Sequence, residues 1–314
     1  MCPSVARNPP LDNDGAQRPV HEHTRDGREL PDGEHDAARQ QWRAGLAPVI
    51  QEFARRWSLQ LGPRFSQCGR AAWVAPARTA TGDRVVLKLG WNHDEALHEA
   101  DGLRAWDGRG TVRLIDSVAA GTTTALLLEA CEPGTHLSQL LPEPDQDVII
   151  AGLLRRLWIE PQAGHPFRPL TQMCDRWAAR YQAASAAARA RGEDQLDAGV
   201  ARAGIEMFTE LPASADVSVL LCTDLHHHNV LAAAREPWLV IDPKPYVGDP
   251  AYDALQHILN FPDRLAADPV GFAARVAGLL DLDAERVRLW LFARCVQESA
   301  DEPELCQAAT ALAP

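Results

Sequence analysis

Asp224, Asn229 and Asp242 lie in one stretch, Val219 to Asp253 (VLLCTDLHHHNVLAAAREPWLVIDPKPYVGDPAYD), at a spacing that suits phosphoryl transfer. An apolar run, Val219 to Leu221, leads into D-L-x-x-x-N. Val230 and Leu231 follow, then a turn at Arg235-Glu236-Pro237 and a third apolar run ending at Asp242. This reads as strand, loop and hairpin. Asp224 is placed to accept the proton of an attacking hydroxyl, while Asn229 and Asp242 offer hard oxygens to magnesium.

A lone Asp and Asn in a loop is more often structural, because both side chains bond nearby backbone. The full spacing, with a hairpin and an aspartate at a strand end, argues for chemistry. Three adjacent histidines, His226 to His228, invite a zinc reading. Sequential side chains in extended backbone point to alternate faces, and no H-x-x-x-H helix or cysteine pair accompanies them, so we do not assign them as ligands.

A site of this kind needs a cation on the phosphates. Of the 31 basic residues only Lys88 and Lys244 are lysine. Lys88 lies in VVLKL, a strand resembling the V-A-I-K strand whose lysine touches the α and β phosphates. A buried ammonium needs a partner, and a helix over Asp94 to Trp106 supplies Glu95 and Glu99 on one face. Glu99 is the expected partner and Glu95 a surface charge. Two β-prone stretches, Ala71 to Ala75 and Arg84 to Leu89, frame the phosphate cover at Ser66 to Ala71, although G-x-G-x-x-G is absent. A hairpin of Thr111 to Ile115 and Thr124 to Leu128, turning at Ala119-Ala120-Gly121, ends in LLLEACEPG. There the backbone of Glu129 and Cys131 is placed to meet an adenine edge.

Beyond this point the apolar spacing turns helical. Helices are expected over Asp147 to Trp158, Leu170 to Ala188, Asp197 to Leu211, Pro250 to Asn260, Pro269 to Leu280, Ala284 to Ser299 and Glu302 to Leu312, with Asp281 or Asp283 as a cap. One amphipathic helix is expected over Gln41 to Leu59. Residues 1–40, rich in Pro, Gly, Asp, Arg and His, read as a disordered tail. The organisation expected is therefore a tail (1–40), a nucleotide-binding lobe with its leading helix (41–130) and a helical lobe with the catalytic loop (131–314).

A net charge of −12 argues against a nucleic-acid binder. Seven cysteines without C-x-x-C fit a reducing compartment. No apolar run spans a bilayer and no signal pattern opens the chain. A cytoplasmic monomer, without membrane or nucleic-acid partners, is expected.

With these residues in place, the chain resembles the aminoglycoside/hydroxyurea antibiotic-resistance kinases, a family that includes streptomycin 6-phosphotransferases. The resemblance runs from about Trp57 to Ser299 and is most specific in VVLKL, RGTVRLID, LLLEACEPG, DLHHHNVL and WLVIDPKPYVGDPAYD. It implies an α+β, protein-kinase-like two-lobed fold with a small antiparallel-sheet lobe and a larger, mostly helical lobe, and ATP and magnesium as cofactors. By position, Lys88 and Glu99 would form the family's ion pair, Asp224 its base, and Asn229 and Asp242 its metal ligands. The family usually has His-Gly before the catalytic aspartate. Here Cys222-Thr223 stands there, so a loop built for glycine must accommodate threonine.

The resemblance also supplies an acceptor, a cationic, streptomycin-like aminocyclitol carrying guanidinium groups. Asp249, Asp253, Glu298 and Asp301, with Glu302, are the carboxylates expected to pair with it. The alternatives are a kinase acting on hydroxyurea or a metabolite hydroxyl, and a nucleotide-binding protein without transfer activity.

Overall fold

The computed structural model describes residues 32–66, 71–92, 97–191 and 196–314. Two helices come first, α1 (Asp32–Ala44) and α2 (Leu46–Arg56). The expected single helix is broken at Gly45, and it begins well before Gln41. Pro48 explains the break, since it has no N–H to offer the carbonyl of Ala44. The early start was hidden because Asp32 to Gln40 (DGEHDAARQ) offers only Ala37 and Ala38 as apolar side chains and so carries no apolar period; residues 32–40 are helix rather than tail.

Strands β1 (Gln60–Leu61), β2 (Ala72–Arg78), β3 (Arg84–Trp91), β4 (Leu114–Ala120) and β5 (Thr123–Glu129) form an antiparallel sheet in the order β1-β2-β3-β5-β4. Helix α3 (Glu99–Trp106) lies between β3 and β4 in sequence. Successive side chains of β3 alternate between faces. Leu87 and Leu89 pack with Trp42, Leu46 and Phe53 of α1 and α2. Lys88 consequently points to the other face, where Leu103 of α3 packs with Leu126 and Leu128. Truncating Leu103 to alanine there would cost about 2 to 5 kcal/mol. The helix expected from Asp94 is described from Glu99, and Glu95 and most of the Ser66 to Ala71 cover lie outside the described residues.

The first strand of the expected hairpin is displaced. Thr111 bridges Val240, Val112 N–H donates to Val240 O (3.0 Å) and Val240 N–H donates to Gly110 O (2.8 Å). Those residues thus join the small lobe to the large one, and β4 begins only at Leu114.

The large lobe contains α4 (Leu137–Leu140), α5 (Glu143–Leu157), β6 (Arg168–Pro169), α6 (Leu170–Arg191), α7 (Ala198–Ala213), β7 (Val219–Leu221), β8 (Val230–Ala232), β9 (Trp238–Val240), β10 (Tyr246–Gly248), α8 (Pro250–Asp253), α9 (Leu255–Leu259), α10 (Pro262–Ala267), α11 (Pro269–Leu280), α12 (Ala284–Glu298) and α13 (Leu305–Leu312). Two small sheets, β6-β10-β7 and β8-β9, carry the site. Helix α12 is the axis of this lobe, with Trp290, Leu291, Phe292, Cys295 and Val296 fully buried. A Cβ on Gly204 of α7 would approach Val296 to 2.5 Å, so glycine permits the close crossing of these two helices. Asp197 and Asp283 cap α7 and α12 by accepting backbone N–H bonds, whereas Asp281, at φ +59°, ends α11. The helix expected over Pro250 to Asn260 is split at Ala254. Among the described residues no helix is long and apolar enough to cross a membrane.

Candidate active site

Lys88 Nζ donates to both oxygens of Glu99 at 2.7 Å and to Asp242 Oδ1 at 2.6 Å. Lys88 and Glu99 are 7% and 6% exposed, so either charge alone would be costly. Burial would lower the pKa of Lys88, but the two carboxylates outweigh it and hold the ammonium above its usual range. Burial pushes the Glu99 carboxyl up to about 7 against the pull of Lys88. Asp242 is drawn below the usual range because Lys88 and Lys244 overcome the cost of its burial. The expected Lys88–Glu99 ion pair and the expected metal ligand Asp242 thus meet at the lobe junction.

The catalytic loop is fixed largely by its own backbone. Asp224 N–H donates to Cys222 O (2.8 Å), and Asn229 Nδ2 donates to Asp224 O (2.9 Å). Ile241 N–H donates to Asn229 O (2.9 Å), tying the loop to the hairpin that ends at Asp242. The three histidine rings lie close together, with centroids 4.1 to 6.1 Å apart, yet among the described residues no group of three His, Cys, Asp or Glu could hold a metal ion. His226 Nε2 lies 3.9 Å from Asp224 Oδ1, His227 packs on Phe261, and the carbonyl of His228 meets His136 Nδ1 at 2.8 Å. Burial lowers His226 to about 4 and His227 to about 3, so both are neutral at pH 7.

Thr223 has φ +51° in the left-handed region that favours glycine. Its conformation is held from both sides. Asp253, fully buried, accepts from Cys222 N–H (2.9 Å), Thr223 N–H (2.6 Å) and Trp158 Nε1 (3.0 Å), and the Thr223 hydroxyl donates to Lys244 O (2.5 Å). Lys244 N–H in turn donates to Cys222 O (2.9 Å). Lys244 Nζ reaches Asp224 Oδ2 at 2.9 Å. The sequence marks Lys244 by its rarity, but its contact with the base appears only in the fold.

The expected acceptor carboxylates are placed differently from expectation. Asp253 braces the catalytic loop. Asp249 is also buried, capping α8 through Ala251 N–H and accepting from Arg286 Nε and Trp290 Nε1, each at 2.6 Å. Glu298 pairs with Arg294 at 2.6 Å inside the lobe, and Asp301 pairs with Arg180 at 2.7 Å. These four bind the protein's own donors, and the arginine partners of Asp249, Glu298 and Asp301 could not be inferred from acidic residues alone. Instead, Trp177, Tyr246, Gln256 and Arg294 line a narrow cavity against Asp224 and Lys244. Arg294 stacks its guanidinium 3.8 Å from the centre of the Trp177 ring.

At the hinge, Glu129 N–H donates to Arg113 O (2.9 Å), while its carboxylate takes Arg113 N–H and the Arg235 guanidinium. Glu129 is thus an interlobe tie, and its N–H is not open to an adenine. Cys131 makes no backbone bond among the described residues. Its thiol is pushed up to about 12 by burial.

Residues 56–304 match the family model described as aminoglycoside/hydroxyurea antibiotic resistance kinase. The chain belongs to this kinase family. A hydroxyurea phosphotransferase from Kitasatospora aureofaciens is 38% identical over 85% of this chain and 76% of its own length. A streptomycin 6-kinase from Streptomyces griseus is 33% identical over 87% of each chain. Among solved structures, an aminoglycoside phosphotransferase from Streptomyces rimosus, in complex with ADP and streptomycin, superposes with a TM-score of 0.50 at 14% identity, covering 80% of this chain and 98% of that one. This confirms the protein-kinase-like fold. The family's reaction is ATP-dependent phosphoryl transfer to a hydroxyl of a small molecule.

Proposed function

We propose that this kinase transfers the γ-phosphoryl group of ATP with Asp224 as base, Lys88 on the phosphates and Cys131 backbone at the adenine edge. The observation that carries the reading is the convergence of Lys88, Glu99 and Asp242 on one ion cluster beside the Asp224 loop. Asp224 accepts the acceptor's hydroxyl proton as that oxygen attacks phosphorus, and ADP leaves.

Asn229 and Asp242 suit magnesium. The Asn229 amide nitrogen is committed to Asp224 O, which leaves its oxygen for a cation, and Asp242 uses Oδ1 for Lys88, which leaves Oδ2. Two hard oxygens match an ion that keeps waters and takes its remaining ligands from phosphate. When bound, magnesium would neutralise charge on the transferring phosphoryl group.

For the acceptor we favour a compact, neutral hydroxyl compound of the size of hydroxyurea. The 38% identical relative is a hydroxyurea phosphotransferase, and the cavity against Asp224 is narrow. The aromatic face and carboxylate that would suit a guanidinium ligand, Trp177 and Glu298, already hold Arg294. A second reading, streptomycin, is supported by the 33% identical relative. A phosphate-transfer assay with both acceptors separates them. Transfer to hydroxyurea alone supports the first, while transfer to streptomycin with a KM that rises with ionic strength supports the second.

A further inference from the structure

The second lysine, Lys244, stands beside the base. Lys244 Nζ lies 2.9 Å from Asp224 Oδ2, and the two side chains are only 18% and 16% exposed. Charge-assisted contacts of this kind are strong when shielded from water, and they fix a carboxylate rotamer. The Lys244 backbone is held on both sides of its Cα, its N–H donating to Cys222 O and its carbonyl accepting from the Thr223 hydroxyl. The ammonium is therefore delivered to the base by the same two residues that precede the base in sequence.

We propose that Lys244 is the positioning residue of Asp224, binding one carboxylate oxygen so that the other faces the acceptor hydroxyl, and that Thr223 sets the lysine in place. This rests on the reading of Asp224 as base. It also gives Thr223 a reason to occupy a left-handed position, because glycine there would lack the hydroxyl that holds Lys244 O. Arg294 lines the same cavity but points its guanidinium at Trp177, Gln297 and Glu298. It offers no substitute for this contact.

The test is a double-mutant cycle on the full chain, using whichever acceptor the wild type phosphorylates. Lys244→Met should lower kcat roughly 10- to 100-fold, with the KM for ATP and the ATP-induced thermal shift close to wild type. Thr223→Val, which keeps the shape and loses the hydroxyl, should lower kcat in the same direction. On an Asp224→Asn background, Lys244→Met should produce no further loss, because its effect passes through that carboxylate. An unchanged kcat in Lys244→Met, or an equal further loss in the double variant, would overturn the inference and leave the kinase reading standing. A wild type that transfers phosphate to no acceptor would remove both, and that control is read first.

Discussion

Lys88 Nζ lies 2.6 Å from Asp242 Oδ1, although 154 residues separate them. The strand that carries the lysine and the hairpin that carries the aspartate belong to different lobes, and this contact closes the cleft between them. Glu99 completes the cluster on the same ammonium. Lys88→Arg should therefore fail to rescue Lys88→Ala. A planar guanidinium cannot place one nitrogen against two carboxylates as a compact ammonium does. Both variants should lose about 100-fold or more in kcat/KM in a steady-state assay. An arginine variant with wild-type turnover would show that lysine is not required there.

The metal assignment predicts a change in magnesium requirement. Asn229→Ala and Asp242→Ala should each raise the magnesium concentration for half-maximal rate by about tenfold or more, since each removes one of few protein oxygens. Titration of chelated enzyme checks this. Restoration of the wild type by zinc and not by magnesium would redirect attention to the histidines.

Much of this site was legible because each member breaks a local rule. Lys88 is a charge in an apolar strand, and Asp224, Asn229 and Asp242 recur at a spacing that loops rarely produce by chance. Asp249 and Asp253 show where such reading stops. An acidic count says nothing about which way a carboxylate faces, and both turn inward to donors that only the fold brings near. The long helices were legible from their period, and Pro269 to Leu280 matched throughout. The α1–α2 break was not, because Pro48 lies within a run whose apolar spacing continues across it.

Asp253 supplies a pH signature. Burial raises its pKa to about 6 despite three N–H donors, above an unfolded value of about 3.9. The protonated form is thus favoured by folding, so this group's stabilising contribution is fully present below pH 4 and is lost as pH rises through 6. The difference between about 6 and about 3.9 corresponds to about 3 kcal/mol. Asp253→Asn cannot titrate, so the stability difference between wild type and variant in urea unfolding should fall by about that amount from pH 4 to pH 7. A difference that stays constant with pH would contradict this account of the brace.

Arg235 bonds Glu129, Glu236, Gly108 O and Thr111 O. It holds the last strand of the small lobe to the hairpin below. Arg235→Ala should lower the unfolding free energy by about 2 to 4 kcal/mol, because several charge-assisted bonds are lost and Glu129 is left half-buried without its partner. Denaturant unfolding measures it, and a loss under 0.5 kcal/mol would mean that the lobes are held elsewhere.

Asp224 is assigned the hydroxyl proton, and acceptor-dependent ADP release by Asp224→Asn, measured beside ATP affinity for the same protein, tests that assignment. The shape of the side chain is retained, so ATP should bind within about twofold of wild type while kcat falls by roughly two to four orders of magnitude. Wild-type turnover in that variant would contradict the account.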